Sequence, residues 1–201
     1  MFLSDVQQDN AQEYLEKIYL GEDIDALEQP ENILNPLNIF QSDIPVFEML
    51  QDFTVIDQVQ RIEEYKPSVF GLLEIPEINV NQYVVSGTDD LSLQFGPGYY
   101  LGTNLPGSGG NVGIAGHRTT YGAPFSQLDL VEIGDEILLT VGSNKYHYKV
   151  DEVEIVDAVS GSYVLYNRGD DRITLTTCHP KYSARQRLVV SGILYRIESG
   201  N

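Results

Sequence analysis

The rhythm of hydrophobic and polar positions changes once along the chain. In residues 1–29, Ala11, Leu15, Ile18 and Tyr19 recur at roughly helical spacing with Glu and Asp between them, which predicts a helix. Two prolines in Glu28–Pro36 (EQPENILNP) break that pattern. Residues 43–66 again mix apolar and acidic positions and suit a second short helix ending near Tyr65-Lys66-Pro67. From Val69 the texture becomes that of strands. Phe70–Ile75, Val80–Val85, Asn111–Ala115, Glu136–Val141, Lys145–Val156, Arg172–Cys178 and Arg187–Arg196 are β-branched or alternating, and Gly, Pro, Asn and Asp punctuate them. Gly142-Ser143-Asn144 has the composition of a hairpin turn, and Pro124–Leu130 suits one short helical turn. Seven or eight short strands with few helices predict an antiparallel sandwich or barrel. The chain thus divides into an acidic, partly helical N-terminal extension or linker, residues 1–66, and a β domain, residues 67–201.

Charge sharpens this division. The formal net charge is −18. Residues 1–66 carry 15 Asp/Glu against Lys17, Arg61 and Lys66, whereas residues 67–201 carry 15 against nine Lys/Arg. So acidic a chain excludes nucleic acid as a partner, because phosphate binding needs clustered Lys and Arg, and excludes a polybasic membrane-surface mode. No stretch approaches the ~18 uninterrupted apolar residues of a membrane span. The start, MFLSDVQQDN, has neither the basic nor the apolar region of a signal peptide. The chain is expected to be soluble as given, with any targeting or anchoring segment lying outside it.

The single cysteine excludes an intramolecular disulfide and leaves the compartment open. A lone cysteine is ordinarily a small buried hydrophobe, so its neighbours decide its role. In Thr174-Leu175-Thr176-Thr177-Cys178, strand alternation puts Ile173, Leu175 and Thr177 on one face and Thr174, Thr176 and Cys178 on the other. Pro180 stops further pairing just beyond. A thiol at a strand end is rigidly held yet open to a cleft, and it needs a base or a cation to react. His117 follows the Gly-rich Gly107–Gly116 at the end of another strand and is suited to shuttle protons near neutral pH. Arg187 lies nine residues after Cys178, and so short a connection predicts hairpin neighbours with the arginine beside the cysteine. A permanently charged fork there can hold a developing oxyanion, with Arg185 as competitor for the place. Cysteine, histidine and arginine together suit acyl transfer through a thioester.

Other candidates give less. His179 is expected to point away from Cys178 as a rim residue or bystander, and His147 to sit on a barrel face. Three scattered histidines and one cysteine show no zinc-ligand spacing. Asp89-Asp90 and Asp170-Asp171 are read as solvated loop carboxylates rather than calcium ligands, so neither metal nor cofactor is expected. Gly107–Gly113 is followed by no Lys-Ser/Thr and is not a phosphate loop.

Six blocks carry a resemblance. Gly110-Asn111-Val112-Gly113-Ile114-Ala115-Gly116-His117-Arg118 looks like the segment of sortases that ends in their catalytic histidine. Thr174–Cys178 is similar to the sortase TLxTC motif, and Arg187-Leu188-Val189-Val190 to the arginine-bearing strand after it. Ile75-Pro76-Glu77-Ile78, Gly96-Pro97-Gly98-Tyr99-Tyr100 and Gly134-Asp135-Glu136-Ile137 match further family segments in order. The likeness covers about residues 69–197 and is strongest to class E sortases of actinobacteria, through Thr119–Phe125 and Cys178–Arg187.

The resemblance implies a mainly β fold, an eight-stranded sortase-type β-barrel with short helices. It implies a cysteine transpeptidase with Cys178 as nucleophile, His117 as general acid/base and Arg187 as the oxyanion and substrate-positioning residue. Its substrate would be an LPxTG- or LAxTG-type sorting signal of secreted surface proteins, cut between Thr and Gly and joined to an amine of a cell-wall precursor. Tyr121 stands where class E has the tyrosine associated with preferring Ala over Pro, and Thr176 shares the face of Cys178, from which it could bind the substrate backbone. The implied location is the outer face of the cell membrane, held by an anchor not in this chain. The lack of an Asp-Pro-aromatic lid favours a housekeeping role over pilin polymerisation. A His/Cys peptidase that mainly hydrolyses, and a non-catalytic peptide-binding barrel, are the alternatives.

Overall fold

The structure, a computed structural model, describes residues 5–21, 65 and 67–200. The expected helix within residues 43–66, Tyr65 apart, lies outside the described residues, as do residues 22–29 of the first. Strands are β1 (Val69–Ile75), β2 (Val80–Ser86), β3 (Gly98–Tyr99), β4 (Asn111–Ala115), β5 (Glu136–Val141), β6 (Asn144–Asp157), β7 (Arg172–His179) and β8 (Gln186–Ser199). They close a barrel in the order β1-β2-β3-β4-β7-β8-β6-β5. The strands expected from alternation are present with ends moved by a few residues. The addition is β3, whose two residues are too few to show a period. The β5–β6 hairpin turns through Gly142, whose φ of 58° suits glycine at the first central position of a two-residue loop.

The expectation of an antiparallel sheet is corrected at two places, where β2 pairs with β3 and β4 with β7 in parallel. Alternation reveals which face a side chain takes but not the direction of its neighbour. The chain leaves β4, forms the β5–β6 hairpin between β1 and β8, and returns to lay β7 along β4 in the same direction.

Inside the barrel Leu73, Ile75, Val84, Val112, Ile114, Ile137, Leu139, Tyr148, Ile173, Leu175, Leu188 and Val190 form one core, joined by Phe125 and Leu128 from the segment after β4. Burying such side chains is worth about 1.5–3 kcal/mol each. The opposite face of β4 and β7 is also covered. Asn111 donates to the Val164 carbonyl (2.8 Å) and accepts from the Thr174 hydroxyl (2.9 Å), docking a 3-10 turn at Gly161–Leu165 on the outside of the sheet. Gly113 leaves room for that cover, because a Cβ there would lie 2.8 Å from Leu165 and 3.0 Å from the Tyr100 ring.

Helix α1 (Asp5–Tyr19) packs on the barrel wall. Ala11, Tyr14 and Leu15 are buried with Val85 and with Phe95 of α2 (Ser92–Phe95). Gln12 fastens the contact: its amide donates to the Phe95 carbonyl (3.0 Å), and its carbonyl accepts from Tyr83 N–H (2.6 Å). Tyr65 adds a hydroxyl contact of 2.8 Å to Ser92. Among the described residues no helix is long and apolar enough to cross a membrane.

Candidate active site

Register places the candidate residues. In the parallel β4–β7 ladder Ala115 is opposite Thr176, so His117 and Cys178 each stand two residues beyond the same rung. In the antiparallel β7–β8 ladder Cys178 is directly opposite Arg187, a position in which Cβ atoms lie about 4.5–5.5 Å apart. Asn111 and Gly113 on β4, Thr174 on β7, and Val189 and Ser191 on β8 all turn to the outer face, packing on the 3-10 turn or on each other. By alternation, Cys178 and Arg187 share that face. The cysteine therefore lies in the middle strand of a β4–β7–β8 platform, with the histidine-bearing strand on one side and the arginine-bearing strand on the other. It is half-buried and free.

The platform continues past β4 by specific bonds. Gly116 N–H donates to the Thr176 carbonyl (3.0 Å), and the Thr177 hydroxyl donates to the Gly116 carbonyl (2.7 Å). The chain then loops back, Phe125 N–H donating to the His117 carbonyl (3.0 Å), with Phe125 fully buried against Gly116. Within this loop Tyr121 takes a left-handed conformation (φ 49°) and lays its ring 5.1 Å from the His117 ring. Burial pushes the His117 imidazole below its ordinary value, and the Asp90 carboxylate pulls the other way. Burial and Asp90 both push the Tyr121 phenol up. His117 Nε2 is buried and makes no hydrogen bond within the described residues.

Arg187 is half-buried, and its Nη1 donates to the carbonyls of Ala184 and Gln186, both at 3.0 Å, which anchors the guanidinium along the β7–β8 turn. Arg185, its competitor, is exposed. Thr176 is buried with its hydroxyl 2.9 Å from that of Tyr100, so it lies in the floor under the cleft. The loop carboxylates have structural partners. Asp89 accepts from Leu91 N–H, Ser92 N–H and the Ser92 hydroxyl, Asp170 pairs with Arg172, and Asp171 accepts from Gly109 N–H. Among the described residues no grouping of His, Cys, Asp and Glu could hold a metal ion.

Residues 73–194 match the sortase domain family. The chain belongs to the sortase family. It is similar to sortase D of Bacillus subtilis (strain 168), 32% identical over 127 residues, and to sortase SrtE1 of Streptomyces coelicolor, 34% identical over 138. These alignments take in 62% and 61% of this chain but 63% and 39% of the relatives, so the chain spans about two-thirds or less of their length. Sortase E from Streptomyces avermitilis superposes with a TM-score of 0.60 at 30% identity, covering 67% of this chain and 93% of that one. The fold is thus a sortase barrel, and the class E likeness read from Thr119–Phe125 and Cys178–Arg187 agrees with these Streptomyces relatives.

Three residues at this sortase site escaped the reading of motifs. Arg118 is buried, His179 contacts it rather than standing idle, and Asp90 acts on both His117 and Tyr121. A cation that ends up 4% exposed must be paired, but with which groups depends on strand order. No local pattern carries that information.

Proposed function

We propose that this sortase domain is a cysteine transpeptidase in which Cys178 is the nucleophile, His117 the general acid and base, and Arg187 the oxyanion and substrate-positioning residue. The observation that supports it is the register: Cys178 lies between a histidine at its own offset just beyond β4 and an arginine directly opposite on β8. In the first step the Cys178 thiolate sulfur bonds to the threonine carbonyl carbon of an LAxTG- or LPxTG-type sorting signal. The threonine–glycine C–N bond then breaks as protonated His117 gives its proton to the departing glycine nitrogen. In the second step an amine of a cell-wall precursor attacks the thioester, His117 takes its proton, and the C–S bond breaks. Arg187 supplies fixed positive charge where the carbonyl oxygen becomes negative. Burial favours the neutral imidazole, and Asp90 works the other way, toward the protonated form that the first step needs.

Tyr121, its ring tilted against that of His117, is the proposed contact for the second residue of the signal, and Thr176 the proposed contact for the peptide backbone from the floor. The partners are then secreted surface proteins and the cell-wall precursor, and the place of action is the cell envelope. Mass spectrometry of products from LAxTG and LPxTG peptides, with and without an amine acceptor, tests this. Cleavage between Thr and Gly, an amine-linked product, and loss of both in Cys178→Ala are expected. Undiminished cleavage by Cys178→Ala refutes it, and release to water alone identifies a hydrolase instead.

A further inference from the structure

The last bonds that tie the histidine-bearing strand to the cysteine-bearing strand come from a side chain that no motif singled out. Arg118 follows His117, and its side chain is only 3% exposed. Its Nη1 donates to the carbonyl oxygen of Cys178 (3.3 Å) and to Nδ1 of His179 (2.9 Å). Its Nη2 pairs with Asp129 Oδ1 at 2.9 Å. The backbone rungs of the β4–β7 ladder end with Gly116 N–H on the Thr176 carbonyl. The guanidinium adds one more cross-link two residues further along β7, at the nucleophile itself.

An arginine has five N–H donors and no acceptor. The 2.9 Å contact to His179 Nδ1 therefore requires that nitrogen to present its lone pair, which leaves the ring proton on Nε2.

We propose that Arg118 is a positioning residue of this sortase: it clamps the ends of β4 and β7 so that thiol and imidazole keep their relative placement, and it fixes His179 as the Nε2-protonated tautomer. This rests on the catalytic reading of Cys178 and His117. A purely structural role for the Arg118–Asp129 ion pair is the competing account. The two differ in which contact matters. Asp129 is 46% exposed at its side chain, so neutralising it removes the ion pair and leaves the links to Cys178 and His179.

The test compares Arg118→Met, Arg118→Lys, Asp129→Asn, His179→Asn and His179→Leu in the full chain, with melting temperatures taken for each. Arg118→Met is expected to lower kcat by about 100-fold, the cost of misplacing reacting groups by about 1 Å, with KM nearly unchanged. Arg118→Lys recovers part of the loss. His179→Asn, whose side-chain oxygen replaces Nδ1 as acceptor, stays within about fivefold of wild type, whereas His179→Leu follows Arg118→Met. Asp129→Asn keeps near-normal kcat. Equal losses in Asp129→Asn and Arg118→Met, or a folded Arg118→Met with wild-type kcat, overturn the proposal. Long-range proton–nitrogen NMR of the histidine rings reads the clamp without turnover. His179 is expected as the Nε2-protonated tautomer in wild type and as a mixture in Arg118→Met, and an Nδ1-protonated ring in wild type overturns it. A wild type with that tautomer but no peptide cleavage removes the catalytic reading alone.

Discussion

Gly116→Ala is the most searching single change, because two effects of opposite sign meet there. The φ of Gly116 lies outside the left-handed region, so alanine fits the backbone and, by narrowing the unfolded ensemble, would stabilise by about 0.4–1 kcal/mol. Against that, the new Cβ would lie 2.5, 2.7 and 2.9 Å from Cδ2, Cε2 and Cγ of Phe125. Ordinary contact needs roughly 1 Å more, and Phe125 is fully buried, so its ring must push into a closed core. Overpacking of this kind costs about 1–3 kcal/mol, and the ring decides the sign. A net loss of about 1–2 kcal/mol corresponds to a fall in Tm of roughly 2–8 °C for a chain of this size. The displacement reaches the chemistry, since Phe125 N–H holds the His117 carbonyl at 3.0 Å, and a shift of about 1 Å there is worth about 100-fold in kcat. Calorimetry and peptide-cleavage kinetics read both effects. Phe125→Leu removes the offending ring atoms, so the double variant should be more stable than the sum of the singles by about 0.5–3 kcal/mol. Strict additivity, or a Gly116→Ala protein that melts and turns over like wild type, refutes the reasoning.

Three further outcomes are expected. Arg187→Ala should lower kcat by about 100- to 1,000-fold, with little recovery in Arg187→Lys, as measured with the same peptides. His117 should titrate below the ordinary value of about 6.5 in NMR, and Asp90→Asn should lower it further because a stabilising negative charge is gone. With the folded-state pKa depressed, the unfolded chain binds the extra proton first. Stability should therefore decline as pH falls through about 6.5 and level off once His117 itself protonates, and chemical denaturation should show less of this in His117→Gln. Gln12→Ala removes the two hydrogen bonds that tie α1 to α2 and to β2, a loss of about 1–3 kcal/mol that thermal melting should detect.

Much of the barrel was legible because successive side chains of a strand take opposite faces. Ile173 and Leu175 point into the core while Thr174 and Thr176 point out, as their spacing requires. The short run from Cys178 to Arg187 led correctly to a direct cross-strand pair, since few residues leave a chain little choice but a hairpin. Strand direction was not legible. Nothing in the composition of β4 or β7 announces a parallel partner, and the antiparallel expectation failed there. The nearness of His117 to Cys178 depends on that pairing, so it came from the resemblance and not from periodicity. Gly116 shows the same limit: glycine at a strand end is ordinary, and only Phe125 folding back onto it reveals why no Cβ fits.

With histidine and cysteine hung at one offset from the Ala115–Thr176 rung, their separation is a property of the sheet rather than of the chain between them. The chain between β4 and β7 touches that placement chiefly through Arg118 and Phe125, so its exposed turns elsewhere can differ without moving the two candidate side chains. The architecture thus ties the placement of the candidate pair to the sheet and leaves the exposed turns free to differ.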